Sequence, residues 1–223
     1  MTKENILYGI IGLLAGVIIG YVGTQTINRN YNPVPAAQMS GNQMSGGNAQ
    51  QPAGGPPPVV MEALNKARNE PSNFEAQIQA ADLYMQIGRY ENALEFLNRA
   101  QQLKPNDFTV LSKLGNVNLD LERYEEAGKW YQAALKLKPD DVNVRTDLGA
   151  SYYMRKPPQL DAAIAEYRAS LKYDPRHEKT LHNLALALFD KGDKSGAREI
   201  LSQLEKVNPN NPQLPSLKSR LNS

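Results

Sequence analysis

Prolines stand at positions 71, 105, 139, 175 and 209, so the intervals between them are 34, 34, 36 and 34 residues. Self-similarity at a fixed period of this length marks a solenoid, in which each unit is one supersecondary element that buries its apolar face only against its neighbours. Two further ladders run in register with the prolines. Small residues recur at Ala81, Gly115, Gly149 and Ala185, which are 34, 34 and 36 apart, and alanines at Ala93, Ala127, Ala163 and Ala197, which are 34, 36 and 34 apart. Together the three series confine two extra residues to the stretch between Gly149 and Ala163. That stretch contains Arg155-Lys156-Pro157-Pro158-Gln159, through which a helix cannot continue, so a turn is expected to absorb the insertion.

Within a unit the pattern is helical. Thr109–Leu121 and Tyr124–Leu137 carry apolar residues at i, i+3, i+4 and i+7. Each proline is followed by Ser, Asn or Asp, or by Arg176-His177-Glu178 in one unit, which suits the capped start of a new helix. The small residues are expected where paired helices cross, because a large side chain there would overpack the crossing at a cost of about 1–3 kcal/mol.

Leu114-Gly115, Ala127, Tyr131, Ala134 and Pro139 resemble the signature residues of the tetratricopeptide repeat, and the pattern recurs as Leu148-Gly149, Tyr152, Ala163, Tyr167 and Pro175. Residues 74–107 keep Ala81, Tyr84, Ala93, Ala100 and Pro105, with Gln77 and Ala80 in place of larger apolar residues. Residues 178–211 keep Leu181, Leu184, Ala185, Ala197 and Pro209, with Leu204 where a small residue is usual. Asn118 also departs, since Tyr84 and Tyr152 hold that place in their repeats. The resemblance implies an all-α fold: a right-handed superhelical solenoid of helix pairs, with repeats at 74–107, 108–141, 142–177 (carrying the two-residue insertion) and 178–211. Capping helices are expected within 59–73 and 212–223, since exposed solenoid ends need covering.

The amino-terminal part is of another kind. Ile6–Gly23 has no charged or strongly polar side chain, and at about 1.5 Å per residue it spans roughly 27 Å, enough for a hydrocarbon core. The run is longer than the apolar region of a cleaved signal peptide and no small-x-small site follows it directly. A single transmembrane anchor over 6–26 is therefore expected, after a short flank at 1–5. Gly12, Gly16 and Gly20 share one face of that helix, and a glycine groove of this kind lets two helices pack closely in lipid. The alternative is the ordinary abundance of glycine in transmembrane helices. Lys3 and the amino terminus precede the run and Arg29 follows it. By a margin of one charge, the positive-inside rule puts the amino terminus inside and the repeats in the periplasm of a bacterial inner-membrane protein. Residues 27–58, rich in Gln, Asn, Gly, Ser and Pro, predict a disordered tether that leaves the repeats near the membrane and free to turn.

Charge and composition narrow the function. The 25 basic and 23 acidic residues are interspersed and leave a net charge of +2, which does not suggest a nucleic-acid partner. With no cysteine, thiolate chemistry is excluded. The two histidines, His177 and His182, lie five apart and so on different helix faces; capping is expected of His177 and groove lining of His182. The segment KGDKSGA lacks the spacing of a phosphate loop. No nucleophile–base pair stands out, so no catalytic residue, metal or other cofactor is expected, and the chain reads as a binding protein.

The resemblance also implies where a partner binds. In this family the first helices of successive repeats line a concave surface. Carried onto matching positions, that surface comprises Ile78, Asp82 and Met85; Ser112, Asn116 and Leu119; Thr146, Ala150 and Tyr153; and His182, Leu186 and Phe189. Met85, Leu119, Tyr153, Leu186 and Phe189 would form an apolar floor for a protein or peptide partner, while Asp82, Asn116 and His182 would meet its backbone. Ile78 and Asp82 stand in two places where carboxylate-clamping relatives use Lys, Arg or Asn, which argues against a carboxylate ligand. The other reading is that several of these side chains pack against the chain's own C-terminal helix. Three functions follow: a membrane-anchored adaptor for a partner polypeptide, an assembly factor for exported proteins that resembles the tetratricopeptide proteins of cytochrome c maturation, and a homo-oligomeric membrane scaffold.

Overall fold

The computed structural model describes residues 58–222. The flank, anchor and tether expected over residues 1–58, with Gly12, Gly16 and Gly20, lie outside them except for Pro58, which opens the first helix. Among the described residues there are ten helices and no strand, and none of those helices is long and apolar enough to cross a membrane.

Helix α1 (Pro58–Asn69) precedes four antiparallel pairs. The pairs are α2 (Phe74–Gln86) with α3 (Tyr90–Leu103), α4 (Phe108–Asp120) with α5 (Tyr124–Leu137), α6 (Val142–Tyr153) with α7 (Leu160–Tyr173), and α8 (Glu178–Asp190) with α9 (Lys194–Val207). Helix α10 (Leu214–Asn222) closes the chain. Contacts run mainly within a pair and between neighbours, as in a solenoid. The first helices α4 and α6, and again α6 and α8, also pack directly on each other, whereas no two successive second helices pack to the same extent. The array therefore bends with its first helices inside.

The first helices start on side-chain caps. Asn73, Asp107 and Asp141 accept hydrogen bonds from the amides of Ala76, Val110 and Val144 at 3.1, 3.0 and 2.9 Å, satisfying donors that the first turn leaves free. His177 departs from the capping role expected of it. It occupies the N-cap position without a side-chain cap bond, because its Nδ1 lies 2.6 Å from the Thr180 hydroxyl.

An equivalent backbone bond spans the turn inside each pair: Arg89 to Tyr84, Arg123 to Asn118, Gln159 to Tyr152 and Asp193 to Leu188, each donated by the first-named amide at 2.8–3.0 Å. The third keeps this bond although its turn holds the two extra residues. There α6 stops at Tyr153 and α7 begins at Leu160, so the Arg155–Gln159 stretch loops out without disturbing the packing on either side. Arg155 holds the loop down, its guanidinium 4.6 Å from the Tyr152 ring centroid and bonded to Gln159 Oε1 at 3.1 Å.

The core is a row of clusters along the array. Ala76, Ala80, Ala81, Phe96 and Leu97 pack with α1's Leu64 and Ala67 at one end, and Leu111, Ala127, Tyr131, Ala134 and Leu148 fill the middle. Ile164, Tyr167, Leu184, Leu201 and Leu204 meet α10's Leu214, Leu217 and Leu221 at the other end. Burying one of the leucine, isoleucine or phenylalanine side chains among them contributes about 1.5–3 kcal/mol. Leu204, unusual for its position, is fully buried in the cluster that receives α10.

Candidate functional site

The inner face is built by α2, α4, α6 and α8. Ile78 and Met85 lean on the first core cluster, Leu119 on the middle one, and Tyr153, Leu186 and Phe189 on the last. All six are partly exposed, as are Ser112, Asn116, Ala150 and His182. Ser112 spends its hydroxyl on the Phe108 carbonyl at 2.7 Å, which leaves its oxygen as an acceptor only.

Thr146 is a correction. It has no exposed surface and cannot line a groove. Its hydroxyl bonds to the Val142 carbonyl at 2.7 Å, to Ser170 at 3.0 Å and to Thr180 at 2.5 Å. These bonds hold it in a buried hydroxyl cluster between the third and fourth repeats.

Leu186 and Phe189 are shared with the chain's own end. Leu217, Leu221 and Arg220 of α10 line the same small cavity as both residues, and the Arg220 guanidinium lies 4.8 Å from the Phe189 ring centroid. Helix α10 packs on α8 and α9, so it covers the fourth repeat and leaves the inner face of the first three to solvent.

Ion pairs stitch the inner face from one repeat to the next. Lys113 Nζ sits 2.5 Å from Asp82 Oδ1, Lys179 Nζ 2.5 Å from Asp147 Oδ1, and Arg220 Nη2 2.8 Å from Asp190 Oδ1. Tyr131 hands its hydroxyl to Asn116 Oδ1 at 2.9 Å, and Tyr153 donates to Asp190. Burial pushes the Tyr153 phenol up to about 12, with help from the bond to Asp190 and that carboxylate's charge. Tyr131 and Tyr167 are raised further by their deeper burial. Burial also raises the Asp120 carboxyl, and the nearby charge of Asp147 adds to it. His182 is shifted the other way: burial disfavours its imidazolium, and its buried Nδ1 has no hydrogen-bond partner. Among the described residues no three or more His, Asp or Glu side chains are grouped to hold a metal ion.

Sequence reasoning missed Lys113, Asp120, Asp147, Lys179 and Arg220. They fall outside the three positions carried over per repeat, and each is an ordinary charged residue whose role appears only once neighbouring first helices are set side by side.

The family described as TPR repeat matches residues 81–121 and 115–155, and that described as tetratricopeptide repeat matches residues 159–221. Among curated protein sequences none matches this chain. Solved structures share its fold. MamA from Desulfovibrio magneticus RS-1 is 22% identical, with a TM-score of 0.64 over 68% of this chain and 84% of its own. YrrB, described as a TPR protein with an unusual peptide-binding site, is 20% identical, with a TM-score of 0.64 over 72% and 82%. The pilF protein of Pseudomonas aeruginosa is 18% identical, with a TM-score of 0.60 over 73% and 80%. From Ala81 to Leu221, on either side of a short break in the insertion loop, the chain is made of tetratricopeptide repeats.

Proposed function

We propose that the chain is a membrane-anchored scaffold that holds a partner polypeptide on the inner face of its repeats. The observation that carries this reading is the state of that face: over the first three repeats, apolar Met85, Leu119 and Tyr153 and polar Asn116 are partly exposed, and α10 reaches only the fourth. An apolar floor with polar groups between is the surface on which an extended or helical segment gains affinity and register. The peptide-binding site described for YrrB, a protein of the same fold, is consistent with it. The sequence offers no catalytic set that would compete with binding.

Anchoring is part of the proposal and rests on the apolar run Ile6–Gly23, with the expected tether, shortened to 27–57 by the helix that begins at Pro58, joining it to the repeats. The protein would be a single-pass protein of a bacterial inner membrane. The flanking charges favour periplasmic repeats, where clients would be exported polypeptides, and the face bearing Gly12, Gly16 and Gly20 would pair anchors of two copies.

The test is site-specific photocrosslinking in living cells. A photoreactive amino acid replaces Leu119 or Tyr153 on the inner face, or Lys129 on the outer. Polypeptide adducts at the inner positions and none at Lys129 are expected, with the whole chain staying in membranes after alkaline carbonate. Adducts equally frequent on both faces would remove the scaffold reading; release by carbonate would remove the anchor alone.

A further inference from the structure

The two sides of the solenoid differ in charge. The four first helices carry six carboxylates against three Lys or Arg side chains, while the four second helices carry eight of each. Along the inner face Asp82, Asp147 and Asp190 each have a cationic partner from the following first helix or from α10. Asp120 is exposed, and no Lys or Arg among the described residues bridges it.

The chain itself shows what belongs there. Helix α10 follows the fourth pair as a further first helix would, and its Arg220 bridges Asp190 while lying over Phe189. Two repeats earlier, 70 residues back in the sequence, Phe189-Asp190 corresponds to Leu119-Asp120 and Arg220 corresponds to Ala150. The apolar residue and the aspartate are retained, but the position of the arginine holds a methyl group. Where the last repeat supplies its own cation, the second leaves the aspartate unanswered next to a small side chain.

We infer that the middle of the inner face takes its partner through a lysine or arginine seated on Asp120 beside Leu119 and Ala150, so that the partner segment is basic with adjacent apolar residues. This rests on the inner face being the binding face. Covering Asp120 with an uncharged segment would strip water from an unpaired carboxylate, whereas a cation there compensates the loss. Partial burial, and after it the charge of Asp147, raises the Asp120 carboxyl's affinity for its proton. A basic segment is thus selected and an acidic one rejected.

The test uses the whole chain in detergent and a phage-displayed library of random short peptides. Selected peptides that are displaced by Leu119→Glu, and so bind the inner face, should carry Lys or Arg next to apolar residues. They should bind Asp120→Asn about fivefold more weakly, and wild type more weakly as salt is raised. Ala150→Arg, which supplies the cation from within as Arg220 does, should abolish the preference. Asp120 is exposed and asparagine is its isostere, so that variant keeps the fold, and circular dichroism checks it. Inner-face peptides without a basic residue, or with unchanged affinity for Asp120→Asn, would overturn this inference and leave the scaffold standing. Failure to select any peptide sensitive to Leu119→Glu would overturn both.

Discussion

Gly115 lies beneath the ring of Tyr131 so closely that a Cβ on the glycine would come within 2.4 Å of the ring's Cε1. The next repeat repeats the arrangement, with Gly149 and Tyr167 and a distance of 2.5 Å. In the first and fourth repeats the corresponding residues are Ala81 with Leu97 and Ala185 with Leu201, all buried. A tyrosine on the second helix thus goes with glycine on the first, and leucine goes with alanine. Gly115→Ala is expected to destabilise the protein by about 1–3 kcal/mol, because a fully buried ring has nowhere to move. Tyr131→Leu alone should also destabilise, through a cavity and the lost bond to Asn116. Since Gly115→Ala/Tyr131→Leu recreates the pairing of the outer repeats, it should cost less than the sum of the two. Urea unfolding of the four proteins measures the coupling, and strict additivity would mean that the two residues do not share one packing constraint.

Glu122 holds a positive φ of 58° in the turn between α4 and α5, where the matching residues of the first and fourth repeats are Gly88 (φ 69°) and Gly192 (φ 90°). A side chain in the left-handed region costs about 1 kcal/mol or more, which glycine avoids. Glu122→Gly should therefore raise the urea midpoint by the equivalent of about 0.5–1 kcal/mol, part of the gain being offset by the greater freedom of glycine in the unfolded chain. An unchanged or lowered midpoint would show that the turn is not strained at Glu122.

The Gln77 side chain is fully buried, and its Nε2 donates to the carbonyls of Ala67 at 2.7 Å and Glu70 at 3.1 Å. Those carbonyls lie at and just beyond the C-terminal end of α1, where helical partners run out, so Gln77 ties the first capping helix to the array. Gln77→Leu should cost about 1–3 kcal/mol by leaving the Ala67 carbonyl unmet, whereas the Glu70 carbonyl still accepts from the Asn73 amide at 3.0 Å. The loss should be local: amide hydrogen exchange is expected to quicken over α1 and to stay unchanged from α5 onward. Acceleration spread evenly over all ten helices would contradict a local tie.

The helical solenoid was legible in the sequence because repetition supplies several readings of one pattern. The spacing of Pro71, Pro105, Pro139, Pro175 and Pro209 and the two small-residue ladders are independent of the identity of any single side chain, so Gln77 or Asn118 can break the consensus without hiding it. The insertion was legible for the same reason, and the turn between Tyr153 and Leu160 falls in the stretch to which the ladders confined it. Side-chain roles were less legible. Thr146 shares a repeat position with Ile78, Ser112 and His182, yet Ser170 and Thr180 draw it into the interior, and periodicity does not register such a cluster. The pairing of Gly115 with Tyr131 and of Ala81 with Leu97 was present in the sequence, but only to a comparison of two ladders at once. Asp120 could be recognised as unpaired only after α10 had put Arg220 on Asp190.

His182 connects the inner face to pH. Its ring is partly buried on α8, its Nδ1 has no hydrogen-bond partner, and burial lowers its pKa below the 6.5 of a free histidine. The folded protein therefore holds this proton less tightly than the unfolded chain does. Stability from the neutral ring is fully present above pH 6.5 and is lost as pH falls from there through the lowered folded-state value. The comparison is made between roughly pH 5.5 and 7.5, an interval that brackets the free-histidine value. Wild type should unfold at progressively lower urea as pH is reduced across that interval, while His182→Leu, which has no proton to gain, should show a flatter dependence. Equal slopes for wild type and His182→Leu would mean that the ring finds enough water or a partner when protonated, and that the inner face at the fourth repeat does not sense pH.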